Sequence, residues 1–466
     1  MTHNDRPEPR TTDAGPGPLG ILVLLAAALL ACDTGLLDVD DPTVLTPDEI
    51  AGANAVPTRL NGMIRGFQEA HDSYLRYAVY LTDEMIASGT ITDRTDVDFR
   101  DVEANNVTLT NELYEELQTA RVVSDQLISA FSESLGDSEF SEVQGELETG
   151  IALGNLYAGY VRVFFGELYC RAVVQGEGDG PALTSAETLQ EALGFFDAAV
   201  DAADSYGFAD VGAAARVGRA RALIGLGRYA DAASAVASIP TEFVYTTEYS
   251  SNTFAQSNEL MQWTWGQGGP NIRWTIGDGT AAERDRERFL YFDEWAAQGL
   301  IDSVAPGLSA DNAALPVNLQ LLYAELSSNI VLASGWEARM VEAEEELRLG
   351  DPEVAEDSVN ALLTDPAQTY NPMLAVNPGL ASSRMGGRIP AMGAFDPVDF
   401  TGSLATDLEQ MARARAAGLW LTGERQATLR RFSEGDGVDL FPERRGDDVC
   451  LPIVQQEIDN NPNVGG

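Results

Sequence analysis

The sequence predicts an all-α protein, a scaffold of helical hairpins interrupted by one large, irregular insertion. Three observations carry that reading. Apolar side chains recur at three- and four-residue spacing over 54–87, 111–134 and 141–167, the period of one helix face. Two stretches, Thr46-Pro47-Asp48-Glu49 and Thr184-Ser185-Ala186-Glu187, have the chemistry of helix starts. In each, a hydroxyl can accept from a free backbone N–H, and a Glu three residues on can return the bond. A helix–glycine turn–helix pattern also occurs twice, at 220–236 and 343–362.

The elements follow in chain order. Residues 18–31, PLGILVLLAAALLA, form one apolar run that ends at Cys32. It is short for a membrane span and has the length of a signal-peptide core. Its n-region is diluted, with Arg6 and Arg10 set among Asp5, Glu8 and Asp13. Leu29, Leu30 and Ala31 before Cys32 resemble the bacterial lipobox, which implies a diacylglycerol on the Cys32 thiol. The expected division is a signal peptide over 1–31, a lipidated tether over 32–45 and one domain over 46–466. Within that domain, helical scaffold is expected over 46–240 and 331–364, the insertion over about 241–330, and a C-terminal region over 365–466. The stretch 365–405, rich in Pro, Gly, Met and Ser, is expected to be irregular.

The periodic segment 141–167 places Ile151, Leu153, Leu156, Tyr157, Tyr160, Val163 and Phe164 on helical faces. The helix opened by Thr184 runs through Leu193, Phe195, Phe196 and Val200. In the two hairpins, Gly227 and Gly350 supply the turn, and Ala230, Ala232 and Ala233 allow close helix packing. This form resembles the tetratricopeptide hairpin. The copies lie too far apart for a continuous array, so a scaffold with an insertion between its hairpins fits better. No clean helical period runs through the insertion until about Arg284. It holds four of the six Trp residues: Trp263, Trp265, Trp274 and Trp295.

Composition removes several functions. The chain carries 73 acidic against 29 basic residues, a net charge of −44, which disfavours nucleic acid and anionic lipid as partners. Every basic residue is arginine, so no lysine can form a Schiff base or serve a P-loop. Of two histidines, His3 lies in the leader, leaving His71, read as a packed residue near Tyr74 and Tyr77. Metal and cofactor are expected to be absent: multi-histidine sites are impossible, and Asp38-Val39-Asp40-Asp41 lacks the spacing of a calcium loop. Cys170 and Cys450 either bridge the early helices to the C-terminal tail or remain buried thiols. Outside the cytoplasm a bridge would persist.

Aromatic-rich loops on a rigid scaffold are where binding sites tend to lie. The candidate ligand-binding residues are Trp263, Trp265, Trp274, Tyr245 and Tyr249, with Asn252, Gln262, Gln267 and Asn271 nearby. Trp and Tyr combine a flat apolar face for pyranose C–H groups with a donor for hydroxyls. In an extended segment Trp263 and Trp265 face the same way. The bland alternative is that these aromatics pin the insertion onto the helices. The loop Ile91–Arg100 is expected to line the same surface. A glycoside hydrolase would need two carboxylates facing each other across a cleft; the run Glu342, Glu344, Glu345 and Glu346 reads instead as a solvated face. A third reading is a scaffold or assembly lipoprotein that binds protein through its hairpins.

The C-terminus carries a family resemblance. Cys450–Val464, CLPIVQQEIDNNPNV, resembles the closing signature of the SusD/RagB outer-membrane lipoproteins. Ala412–Phe432, with its Leu419-Trp420-Leu421 centre, Gly423-Glu424-Arg425 and Arg430-Arg431, is similar to that family's last long helix. Asp439-Leu440-Phe441-Pro442 and Phe164–Tyr169 fit as well. Val454 stands where a proline is common, and the usual Val-Pro after the aromatic-Gly junction is replaced. The resemblance implies a non-enzymatic, SusD-like binder on the outer face of the outer membrane. Such a protein captures a glycan, or sometimes a peptide, and passes it to a SusC-like TonB-dependent transporter.

Overall fold

Helices that are apolar on one stripe must lie on a surface, whereas those apolar all round must be enclosed, and this sorts the scaffold. The computed structural model describes residues 52–87, 91–176, 179–265, 274–277, 292–297, 301–304, 317–365 and 395–464. The lipobox Cys32 and the Thr46 helix start lie outside the described residues. Ala55–Gly466 form one compact unit.

α1 spans Val56–Tyr80 with Pro57 in its first turn, where the missing N–H costs nothing. From Ala70 onward every side chain of α1 is buried. β1 (Ile86–Ala87) and α2 (Thr92–Asp98) follow. A π-helical turn, Thr110–Tyr114, leads into α3, Glu115–Ser134. α4, Gln144–Leu168, is buried on all sides over most of its length, because α1, α3, α5 and α6 all pack on it. The strands β2 (Arg171–Val173) and β3 (Ala182–Thr184) pair antiparallel. α5, Ser185–Tyr206, opens with the expected capping box between Thr184 and Glu187.

The first hairpin is α6 (Ala209–Gly225) and α7 (Tyr229–Val236). β4, Val244–Thr247, then enters the insertion. The insertion contains α8 (Glu259–Trp265), β5 (Trp274–Thr275), α9 (Phe292–Ala297), β6 (Ile301–Val304) and β7 (Val317–Gln320). β8, Ile330–Ser334, leaves it and pairs antiparallel with β4, so the insertion is closed at its neck. The second hairpin, α10 (Gly335–Leu349) and α11 (Pro352–Thr364), follows at once. α7 packs on α10, so the two hairpins are neighbours despite the residues between them. Gly227 and Gly350 sit at φ 71° and 90°, a conformation that a Cβ resists.

Three expectations need correction. The segment 412–432 is not one helix: α12 runs over Leu404–Gly418 and α13 over Glu424–Arg431, with Leu421 at φ 55° and Gly423 at φ 84° between them. The insertion is not irregular throughout, since α8 and α9 lie in it. Glu344 is not solvated. It is fully buried between Arg431, whose Nη2 donates to Oε2 at 2.9 Å, and Arg348, whose Nε donates to Oε1 at 3.1 Å.

The signature tail is held by specific bonds. Cys170 and Cys450 are disulfide-bonded with Cα atoms 5.2 Å apart. Beside them the Cys170 N–H donates to Leu451 O at 2.9 Å and the Leu451 N–H to Leu168 O at 2.7 Å. Arg430 Nη1 donates to the carbonyls of Gly166, Glu167 and Tyr169 at 3.0–3.2 Å, satisfying acceptors that the end of α4 leaves open. Arg100 reaches the carbonyls of Pro442, Asp447 and Asp448 and stacks on Phe441 at 4.3 Å. α14, Gln455–Asn460, closes the described chain.

Candidate functional site

The candidate site grows from α1, α2, the π turn and α8, and its centre is Trp263. Trp263 is half-buried on α8. The Arg94 guanidinium of α2 lies over its ring at 4.1 Å, a cation–π contact. Arg94 in turn grips Glu112 with bonds of 2.6 and 2.8 Å from Nη2. Glu112 sits on the π turn, the kind of backbone irregularity that often marks functional sites. It also accepts from the Tyr77 hydroxyl at 2.9 Å. The indole N–H of Trp263 points to Glu259 Oε2 at 3.5 Å.

Beneath this surface lies Arg76, 3% exposed. It pairs with Glu259 at 3.0 Å and Asp72 at 3.2 Å and donates to the Ser73 hydroxyl at 2.5 Å. Ser73 donates to Glu116. Asp72 Oδ2 also accepts the Glu259 backbone N–H at 2.7 Å, so a carboxylate from α1 caps the start of α8. Burial pushes the Asp72 carboxyl up to about 7, against the pull of Arg76. Burial likewise pushes Glu116 up to about 7. Two apolar side chains in the flanking segments are exposed: Phe254, 66%, on the turn Phe254–Gln256 before α8, and Ile91, 37%, before α2. The result is a half-covered indole with polar groups around it, presented by helices fixed to the scaffold.

A second buried network stands behind it. Arg221 Nε and Nη2 grip Glu167, each at 2.7 Å, and Nη2 also donates to the Tyr74 hydroxyl at 2.5 Å. Tyr74 donates to Glu167 Oε2 at 2.6 Å. Glu424 pairs with Arg415 at 3.0 Å, close to the fully buried Glu337. Burial raises the pKa of Glu337 and Glu424. These groups join α1, α4, α6, α10, α12 and α13 and are structural.

No family model matches the sequence, and no curated protein matches it. Solved structures do. A SusD/RagB family protein from Bacteroides thetaiotaomicron superposes with a TM-score of 0.63 at 13% identity, over 88% of this chain and 94% of that one. A SusD superfamily protein from Bacteroides vulgatus gives 0.58 at 11%, over 88% and 98%. A SusD-like carbohydrate-binding protein from Bacteroides fragilis gives 0.59 at 13%, over 89% and 99%. The fold is SusD-like.

Within this SusD-like frame the four aromatic candidates whose side chains are described do not form one surface. Trp274 is 2% exposed in β5 and packs on Tyr80 with ring centroids 4.3 Å apart. Tyr249 is 8% exposed, and its hydroxyl donates to Gln68 O at 2.9 Å. Both anchor the insertion to α1 and have no face left for a ligand. Tyr245, half-buried in β4, packs against the core. The Trp265 side chain lies outside the described residues, as do Gln267 and Asn271. Trp263 lies in a helix and not in the extended segment that the sequence suggested. Gln262 is committed to Ser257 and Phe254 O. His71 is buried, its Nδ1 2.8 Å from Thr247 Oγ1, and burial pushes its pKa down to about 3. The segment 91–100, read as a loop, is mostly the helix α2, and it meets the Trp263 ring through Arg94. Sequence reasoning missed Arg94 and Glu112 as residues, and Phe254 as the exposed aromatic. Asn258, whose side chain accepts from the Met261 N–H at 2.8 Å, was a readable helix-start signal for α8.

Proposed function

We propose that this chain binds a saccharide at the cell surface without transforming it and hands it to a SusC-like TonB-dependent transporter. The observation that carries the reading is Trp263, a half-buried indole rimmed by Arg94, Glu112 and Glu259 on a SusD-like scaffold. Such a group offers dispersion to a sugar's C–H face and hydrogen bonds to its hydroxyls. The description of the Bacteroides fragilis relative as carbohydrate-binding supports the ligand class. Lipidation at Cys32 and an outward-facing place on the outer membrane complete the proposal.

Catalysis is not part of it. Of the two carboxyls near Trp263 with raised pKa, Asp72 is 2% exposed and caps α8. Glu116 is tied to Ser73 and lies 3.8 Å from Arg76. These contacts account for both groups as parts of the scaffold.

The test is calorimetry of the chain lacking residues 1–32 against a panel of oligosaccharides and peptides. A saccharide binds, and Trp263→Ala weakens it about tenfold or more, as expected when one stacking aromatic ring is removed. An affinity that Trp263→Ala leaves untouched refutes the site. Delivery is tested by co-purification with a TonB-dependent receptor encoded beside this chain; a chain that captures no such receptor favours the scaffold reading.

A further inference from the structure

The two helical hairpins leave a groove between them that the saccharide reading does not use. It has a volume of about 870 Å³ and is lined by α7, α10 and α11. Its lining includes the small side chains of Ala230, Ala233, Ala237 and Ala361 around the buried Leu362, with Val354 51% exposed. The lining carries five carboxylates, Glu242, Glu342, Glu345, Glu346 and Asp365, and one guanidinium, Arg339. Arg339 is already committed: Nη2 donates to Val236 O at 3.1 Å and Ile239 O at 3.0 Å, and Nε pairs with Glu342 at 3.2 Å.

We infer that this groove docks a basic helical segment, rich in Arg or Lys, of a partner protein. Two features argue for that occupant. The first is charge complementarity: the groove presents an acidic wall whose one cation serves as a cap for α7, and a basic segment meets it with opposite sign. The second is shape. Small alanine side chains along the lining let a helix axis approach to about 8–10 Å, and a helix about 10 Å across fills this volume with about two turns.

The carboxylates also crowd one another. Glu342, Glu345 and Glu346 are all half-buried. Burial, with Glu346 adding to it, raises the pKa of Glu342 and Glu345. A bound cation relieves that crowding. The chain is acidic nearly everywhere, so attraction of a basic peptide alone proves nothing; concavity and position distinguish this site.

The experiment is fluorescence anisotropy of the full-length chain with a labelled helical peptide of alternating alanine and lysine. The triple variant Glu342→Gln, Glu345→Gln, Glu346→Gln is compared with Glu133→Gln, Glu139→Gln, Glu142→Gln, which removes the same charge from the exposed region around the α3–α4 turn. Ala233→Trp fills the groove without changing charge. The groove triple is expected to weaken binding about tenfold, the sum of three modest ion pairs. Ala233→Trp weakens it too, and the control triple leaves it within about twofold. Equal weakening by both triples, binding untouched by Ala233→Trp, or no binding by the wild-type chain would each overturn the inference. Because Ala233→Trp does not touch Trp263, saccharide affinity stays intact in every case, which separates this proposal from the binding function.

Discussion

Replacing Cys170 and Cys450 by serine opens a covalent loop of 280 residues, and the cost can be worked from that length. In the chain-entropy model, closing a loop this long removes about 19 cal/mol/K from the unfolded ensemble, or about 5.6 kcal/mol at 25 °C. That is a ceiling, because the tail keeps its other attachments: the Cys170–Leu451 and Leu451–Leu168 backbone bonds, Arg430 on the end of α4, and Arg100 on the Pro442–Asp448 turn. Measured losses for native disulfides run at about 2–5 kcal/mol, and a loss of about 4 kcal/mol is expected here. Unfolding entropy near 2.1 cal/mol/K per residue over about 410 residues makes that a fall of about 5 °C in Tm. The assay is thermal unfolding of the double serine variant by circular dichroism, with alkylation of the native wild-type chain as a control. A melting point within about 1 °C of wild type would show that the bond does not limit the unfolded ensemble. Free labelling of both thiols in the native chain would refute the bond itself.

Two further perturbations test the buried charges. Arg221→Met leaves Glu167 buried with only the Tyr74 hydroxyl beside it, and is expected to cost about 3–5 kcal/mol in urea unfolding; a loss under about 1 kcal/mol would mean the network is hydrated or replaceable. Glu84 is pushed by burial from its usual range up to about 8, so between about pH 4.5 and 8 the folded chain binds more protons than the unfolded one. Stability from this group is therefore complete below about pH 4.5 and falls through pH 8, by up to about 1.4 kcal/mol per pH unit. Glu84→Gln keeps an acceptor for the Leu421 N–H and flattens that slope, so the variant gains on wild type as pH rises; parallel stability–pH curves would refute the assignment.

What the sequence reveals follows the range of the forces involved. The scaffold helices are legible because their own periodicity forms them: α4 is apolar on all sides and is enclosed, and Thr184 and Glu187 cap α5 from within three residues. The hairpin turns are legible for the same reason, since Gly227 and Gly350 take up the left-handed turn locally. The break between α12 and α13 is not. Leu419-Trp420-Leu421-Thr422 reads as helix, yet Leu421 turns left-handed, at a cost of about 1–3 kcal/mol. Two distant side chains hold it there. Glu84, 337 residues away, accepts its N–H at 2.9 Å, and the Tyr323 hydroxyl donates to its carbonyl at 2.9 Å. α8 shows the same contest at the candidate site. Aromatics two apart suggest a strand, but Asn258 caps the helix locally and Asp72, 187 residues away, accepts the Glu259 N–H. That helix turns Trp263 toward Arg94. The surface beside Trp263 is thus defined by pairs that helical periodicity does not join, Arg94 with Glu112 across a change of element and Arg76 with Glu259 far along the chain. A scan for aromatic residues picks out the insertion, where Trp274 and Tyr249 prove to be buried against α1. Trp274 and Tyr249 are the aromatics that fasten the loop down, and fastening it is what leaves Trp263 at the surface.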